Sequence, residues 1–148
     1  MLIRRGTPAD IPDLMALERQ SPAAAHWSRE QYRTAFSAEA PSRVLLILEE
    51  DGAIQGFIAG IALDKEWEIE NVVVAESVRR CGFGTKLLQE FLELARGGGV
   101  EKIFLEVRAS NLAARGLYEK LGFSESGRRR FYYCEPQEDA IVYQLGLG

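Results

Sequence analysis

The sequence predicts one mixed α/β domain spanning residues 1–148, on three observations. Strand-like and helix-like segments alternate along the whole chain, the pattern of a sheet layered with helices. No linker-like shift of composition, internal repeat or low-complexity stretch divides it. The 148 residues, 47% of them apolar, fit a single packed unit, and a chain of this size buries roughly 68–70% of its unfolded surface without needing disulfides or metal.

Leu2 to Arg5 reads as the first strand. Thr7-Pro8-Ala9-Asp10 then supplies an N-cap, a proline for the first helical position and an acid for the first turn, so a helix is expected from about Pro8 to Gln20. Ser28-Arg29-Glu30-Gln31 has capping-box spacing and opens a second helix to about Ala38, closed by Pro41. Val44–Glu50 and Ala53–Leu63 are strand-like runs joined by Asp51-Gly52, a hairpin signal because both central positions of that turn favour positive φ. Trp67 to Val74 continues as a third strand of this group. Between Gly84 and Arg96, Leu87, Leu88, Phe91, Leu92 and Ala95 recur at helical spacing, and Gly97-Gly98-Gly99 ends the helix. Ile103 to Val107 is strand, Asn111 to Leu121 is helix with Gly122 as its C-cap, and Phe123 to Leu147 holds two more strands. The order is β-α-α-β-β-β-α-β-α-β-β.

Charge and composition exclude several classes. Eighteen basic against 22 acidic residues leave a net −4, which argues against a broad basic face for nucleic acid. Arg128-Arg129-Arg130 reads as solvated side chains alternating along a hairpin. No apolar run approaches the roughly 18 residues of a membrane span, and Met1 to Asp10 lacks the pattern of a secretory signal. Cys81 and Cys134 make no C-x-x-C pair and are expected to be reduced thiols in a cytoplasmic protein. With His26 the one histidine, no metal site is expected; His26 is expected to pack beside Trp27 between the first two helices.

The most informative segment runs from Asn71 through Val72, Val73 and Val74 to Arg79-Arg80-Cys81-Gly82-Phe83-Gly84-Thr85-Lys86, a strand entering a glycine loop that opens an amphipathic helix. Free amides of the first helical turn and the positive end of the helix dipole make such a loop an anion site. It is not a Walker loop, because Gly84 is followed by Thr85-Lys86 rather than by Lys and a hydroxyl residue. It is not a dinucleotide fingerprint, because Leu87 stands where the third glycine would. Taken alone, Gly-x-Gly before a helix describes a tight turn equally well. Cys81, near the helix N-terminus, also admits reading as a redox-sensitive thiol.

Along the following strand Phe104, Glu106 and Arg108 share one face, and Ile103, Leu105 and Val107 the other. Asn111, Arg115 and Tyr118 form one stripe of the next helix. Glu106 alone is as readily an exposed strand charge, and Tyr118 a core aromatic. Glu68 and Glu70, sharing a face, are a second base, readers of a positive substrate, or a solvated strand face.

Arg79-x-x-Gly82-x-Gly84 resembles the coenzyme A pyrophosphate motif of the GNAT N-acetyltransferases. Leu105 to Asn111 and Leu117 to Phe123 are similar to the RimI branch, which acetylates protein N-termini; Trp27-Ser28, Tyr132-Tyr133 and Glu138-Asp139-Ala140 extend the likeness over nearly the whole chain. The resemblance implies a mixed, mostly antiparallel seven-stranded sheet flanked by about four helices. It implies acetyl-CoA as co-substrate, held by Val72, Val73, Val74, Arg79, Arg80, Cys81, Gly82, Phe83, Gly84 and Thr85, with Asn111 on the pantetheine arm. Cys81 stands where the family often carries a polar or basic residue.

Glu106 would be the general base that deprotonates the acceptor ammonium, and Tyr118 the general acid for the leaving thiolate. A backbone amide at Val73 or Val74 would steady the oxyanion, with no acyl-enzyme and no cysteine nucleophile. Glu68, Tyr132, Tyr133, Glu138 and Asp139 would line the acceptor site. The expected acceptor is a protein N-terminal peptide, from a small-subunit ribosomal protein, with the enzyme a monomer or weak homodimer. A small amine (polyamine, amino acid or antibiotic) is the rival acceptor, and a non-catalytic acyl-CoA-binding module the rival class.

Overall fold

Seven strands form one sheet in the computed structural model, which describes residues 1–21, 27–36, 43–79, 81–134 and 137–147. The strands are β1 (Leu2–Arg5), β2 (Arg43–Glu50), β3 (Ala53–Leu63), β4 (Glu66–Val74), β5 (Lys102–Arg108), β6 (Ser124–Tyr133) and β7 (Glu138–Gly146). Their order across the sheet is β1-β2-β3-β4-β5-β7-β6, antiparallel everywhere except between β4 and β5. The helices are α1 (Ile11–Arg19), α2 (Arg29–Ala35), α3 (Phe83–Gly97) and α4 (Leu112–Lys120). The expected order of elements is therefore found. The parallel pair follows from α3, since parallel neighbours need a crossover connection.

Local chemistry sets the boundaries. Asp51 and Gly52 both take positive φ (55° and 78°), as the hairpin turn requires. Ser28 Oγ accepts the Gln31 amide at 3.2 Å while Gln31 Oε1 accepts the Ser28 amide at 2.7 Å, a reciprocal cap on α2. The first helix departs from expectation: Pro8–Asp10 is a turn of 3₁₀ helix, and α1 starts only at Ile11. Asp10 explains it, because its carboxylate accepts the Thr7 amide (2.8 Å) and two hydrogen bonds from Arg4, which tighten this turn. The expected end of the second helix at Ala38, its stop at Pro41, and the packing of His26 lie outside the described residues.

Each face of the sheet carries its own core. On one, Leu87, Leu88, Phe91, Leu92 and Ala95 of α3 pack on Leu46, Leu48, Ile58, Ile69, Ile103 and Leu105. On the other, Ile11, Leu14 and Leu17 of α1 and Tyr32 of α2 pack on Leu45, Ile47, Phe57, Ala59 and Val73. Burying each such side chain contributes about 1.5–3 kcal/mol. Among the described residues the second core takes none from β5, β6 or β7, and neither α1 nor α2 packs on that part of the sheet.

Strand β4 changes face part way along. Ala59 pairs with Asn71 but Gly60 pairs with Ile69, leaving Glu70 as an extra residue, a β-bulge. Before it, Trp67 and Ile69 face the α3 core; after it, Val72 and Val74 do, while Val73 and Ala75 turn to the α1 side. Strands β4 and β5 pair only from Glu66–Lys102 to Ile69–Leu105. Beyond the bulge they separate, and a gap opens between Asn71–Val74 and Glu106–Arg108.

Candidate active site

The glycine loop lies at one end of this gap. Gly82 has φ +81°, the left-handed conformation that a side chain would strain, and stands at the N-cap of α3. Lys86 is the first residue whose amide bonds back into the helix, to the Gly82 carbonyl at 3.1 Å. Among the described residues the amides of Phe83, Gly84 and Thr85 have no hydrogen-bond partner, and glycine at the cap offers no side chain to occupy them. A Cβ on Gly84 would lie 3.5 Å from Leu117 and 3.7 Å from Val74, so the loop, α4 and the end of β4 converge here. This donor set suits a diphosphate.

The two arginines of the motif differ in what the structure describes. Arg79 turns away from the loop: its guanidinium donates to the Val74 carbonyl (3.3 Å), the Gln20 carbonyl (3.2 Å) and Ser21 Oγ (2.8 Å), tying the loop to the end of α1. Arg80 lies outside the described residues. Cys81 is exposed.

The strand edge supplies further donors. Ala75 gives its amide to the Gln55 carbonyl at 2.8 Å. Antiparallel pairing alternates, so Val73 also faces β3, whereas Val72 and Val74 point their amides to the side where β5 has left. Between the two residues expected to offer an amide, this geometry favours Val74.

Glu106 and Tyr118 lie on opposite faces of the sheet. In β5 the burial alternates, Ile103, Leu105 and Val107 inward and Phe104, Glu106 and Arg108 half-buried on the α1 side, as the spacing predicts. Tyr118, 8% exposed, belongs to the α3 core. Its position is fixed by the end of α4: Gly122 (φ +101°) allows the Phe123 amide to reach the Tyr118 carbonyl (3.0 Å) and the Gly122 amide to reach Glu119 (3.1 Å). The rings of Phe123 and Tyr143 pack on Tyr118 at 5.8 and 6.2 Å between centroids. Burial pushes the Tyr118 hydroxyl above the usual tyrosine range, with Tyr133 adding to the effect, so it remains protonated at neutral pH. Asn111 caps α4, its Oδ1 accepting the Ala114 amide at 3.3 Å. Arg115 of the same stripe bonds the Tyr143 hydroxyl (3.0 Å) and the Ala109 carbonyl (2.8 Å).

On the face where the acceptor is expected, arginines lie over tyrosines and carboxylates. Arg129 Nη1 donates to Glu106 Oε1 at 2.9 Å and its guanidinium lies 4.0 Å from the Tyr132 ring centroid. Arg108 lies 4.4 Å from the Tyr133 ring, and the two tyrosines meet edge to face at 5.2 Å. Glu68 joins Glu106 on this face; burial raises its carboxyl above the ordinary range, with Glu70 and Glu106 adding to the shift. Glu70, in the bulge, pairs with Arg43 (3.3 Å), which lies over Trp27.

Glu138 and Asp139 are engaged internally. Glu138 accepts the Ser110 amide (2.7 Å) and Arg108 (3.2 Å), which hold it below the usual carboxylate range. Asp139 accepts the Phe131 amide (3.0 Å) and Arg128 (3.1 Å), and is likewise lowered. The sequence reading of three solvated arginines missed Arg129 because its contact depends on register: Arg129 pairs with Ala140, which pairs with Arg108, so its side chain crosses β7 at a residue with only a methyl group.

A splayed parallel strand pair with a bulge, a glycine loop opening a helix at its mouth, and a carboxylate and a tyrosine on opposite faces of the sheet together define a coenzyme-A-dependent acyltransferase fold. The acetyltransferase (GNAT) family profile matches residues 11–123, and the chain belongs to that family. It is an acetyl-CoA-dependent N-acetyltransferase. The [ribosomal protein bS18]-alanine N-acetyltransferase of Salmonella typhimurium is 37% identical over 142 residues, 94% of this chain and 93% of the relative. The crystal structure of the Escherichia coli ribosomal-protein-S18-alanine N-acetyltransferase superposes with a TM-score of 0.89 at 30% identity, covering 99% of this chain and 94% of that one. Ard1 from Thermoplasma volcanium gives 0.87 at 25% identity, covering 99% and 97%. Among the described residues no helix is long and apolar enough to cross a membrane, and no cluster could hold a metal ion.

Proposed function

We propose that this chain, acting as one catalytic domain in the cytoplasm, acetylates the α-amino group of a protein N-terminus, with ribosomal protein bS18 and its alanine as acceptor. The observation that carries the reading is the sheet face beside Glu106, where among the described residues neither α1 nor α2 packs on β5 or β7 as they do on β2–β4, leaving room for a chain end to lie. The protein and its alanine come from the acceptor named for the Salmonella relative.

Acetyl-CoA, when bound, supplies the thioester carbonyl. The amides of Phe83, Gly84 and Thr85, reached across Gly82 and Cys81, would hold its diphosphate, and Arg79 would brace that loop. Val72 to Val74 and Asn111 would flank the rest of it. Glu106 takes a proton from the acceptor ammonium, directly or through one water, so that the nitrogen can attack. The Val74 amide donates to charge growing on the carbonyl oxygen. Tyr118, a phenol protonated at neutral pH, gives its proton to the departing sulfur. Glu68, Tyr132 and Tyr133 line the acceptor's path, while Glu138 and Asp139 shape it through their internal bonds.

The test is steady-state turnover on a hexapeptide with the bS18 N-terminal sequence beside a panel of free amines. The peptide is expected to exceed every free amine in kcat/KM by about two orders of magnitude, with intersecting initial-velocity lines. A polyamine or amino acid that matched the peptide would overturn the acceptor, and parallel lines would overturn direct transfer.

A further inference from the structure

The base is already occupied in the free protein. Arg129 reaches from β6 across Ala140 to Glu106 at 2.9 Å, and stacks on Tyr132 at 4.0 Å. An ammonium approaching Glu106 therefore meets a like charge first. The Arg129 side chain is 54% exposed, and ion pairs so exposed are weak enough to be exchanged. Tyr132 offers the guanidinium a second resting place after it leaves the carboxylate. Beyond Arg129 the strand bulges, with Phe131 at φ +53° held by Asp139, so Tyr132 is presented beside Arg129 rather than along the regular ladder.

We propose that Arg129 is a specificity residue that distinguishes a peptide N-terminus from a simple amine through an exchange of partners. The acceptor's ammonium replaces the guanidinium on Glu106, and the acceptor's first carbonyl oxygen accepts the hydrogen bond that the guanidinium gives up. An alkylamine brings the charge but no carbonyl, so it displaces Arg129 without compensating it. Specificity here comes from an obstacle that one class of acceptor can satisfy and the other cannot. The inference rests on Glu106 acting as the base toward an α-amino group.

The experiment compares the wild-type chain, Arg129→Ala and Arg129→Lys on two acceptors, an alanyl hexapeptide and sec-butylamine, which matches the alanine amine in bulk but lacks the carbonyl. Loss of a hydrogen bond from a charged donor predicts a fall of about 10- to 100-fold in peptide kcat/KM for Arg129→Ala, carried mainly by KM. For sec-butylamine kcat/KM rises severalfold, because the competing cation is gone. Arg129→Lys, which keeps the charge without the planar fork, lies between the two. Melting temperature and calorimetric acetyl-CoA binding of each variant separate this effect from misfolding. A peptide-to-amine ratio for Arg129→Ala within twofold of wild type overturns the proposal while leaving the proposed acceptor intact. Wild-type preference for sec-butylamine overturns both.

Discussion

Gly60 is where the fold and the site are most tightly joined, and Gly60→Ala tests that link. A methyl group added there would sit 2.5 and 2.7 Å from ring carbons of Phe91 and 2.6 Å from the Glu68 carbonyl oxygen. Neither neighbour can move freely. Phe91 is fully buried and packs edge to face against Trp67 at 5.7 Å, and the Glu68 carbonyl belongs to the strand just before the bulge. Overpacking a well-filled core costs about 1–3 kcal/mol, and two fixed walls put this case near 3. At about 2–4 °C per kcal/mol for a chain of this size, the melting temperature should fall by about 6–12 °C.

Two other glycines give the scale. Gly56→Ala, 2.9 Å from the Val73 carbonyl and 3.2 Å from Leu87, should fall less. Gly127→Ala, with nothing within 4 Å, should stay near wild type. Thermal melts followed by far-UV circular dichroism on the three variants decide the matter. If Gly60→Ala melts within about 2 °C of wild type, the close approach of β3 to the bulge does not constrain this fold.

Glu106→Gln should lower kcat by about 10²- to 10⁴-fold, the usual contribution of a general base, while calorimetric acetyl-CoA affinity stays the same; turnover within threefold of wild type would remove Glu106 from its role. Tyr118→Phe should slow peptide turnover more than it changes either KM, and a solvent-accessible substitute for the acid would show as no change in kcat. Gly82→Ala places a side chain at φ +81°, where strain of about 1–2 kcal/mol opposes the loop; KM for acetyl-CoA should rise roughly tenfold, and an unchanged KM would show that the left-handed cap is dispensable. Hydrogen bonds from Arg4 hold the Asp10 carboxyl at about 2, against an ordinary value of 3.8. The folded value is the lower one, so the pair stabilises the protein above pH 4 and loses about 2 kcal/mol as pH falls from there toward 2. Denaturant titrations should show that acid slope flattened in Asp10→Asn.

Much of the framework was legible because it is local. Asp51-Gly52 needs no partner to announce a hairpin, Ser28 and Gln31 cap within one turn, and the apolar stripe of α3 repeats at its own helical spacing. The glycine loop was legible for the same reason, since its anion chemistry resides in consecutive residues. The bulge was not. Period-two reading put Glu68 and Glu70 on one face, and only pairing with β3 shows that Glu70 is the inserted residue. Arg129 was read as solvated because its target is two strands away, and β6 departs from regular register at Glu125–Gly127 and again at Arg129–Tyr133. Glu138 and Asp139 are expected from the sequence to line the acceptor site, yet their partners, Ser110 and Arg108 for one and Phe131 and Arg128 for the other, come from elsewhere in the chain or across a hairpin.

The inserted residue in β4 changes the parity with which the strand serves the α3 layer, odd-numbered side chains up to Ile69 and even-numbered ones from Val72 onward. Such a strand tolerates many exchanges of one apolar residue for another, but it is sensitive to length. Removing one residue between Ile69 and Val72 would leave Val73 and Ala75 on the α1 side, because plain alternation then carries the strand from Ile69 to Val72, but it would straighten β4 and draw it back alongside β5, closing the gap beside Glu106.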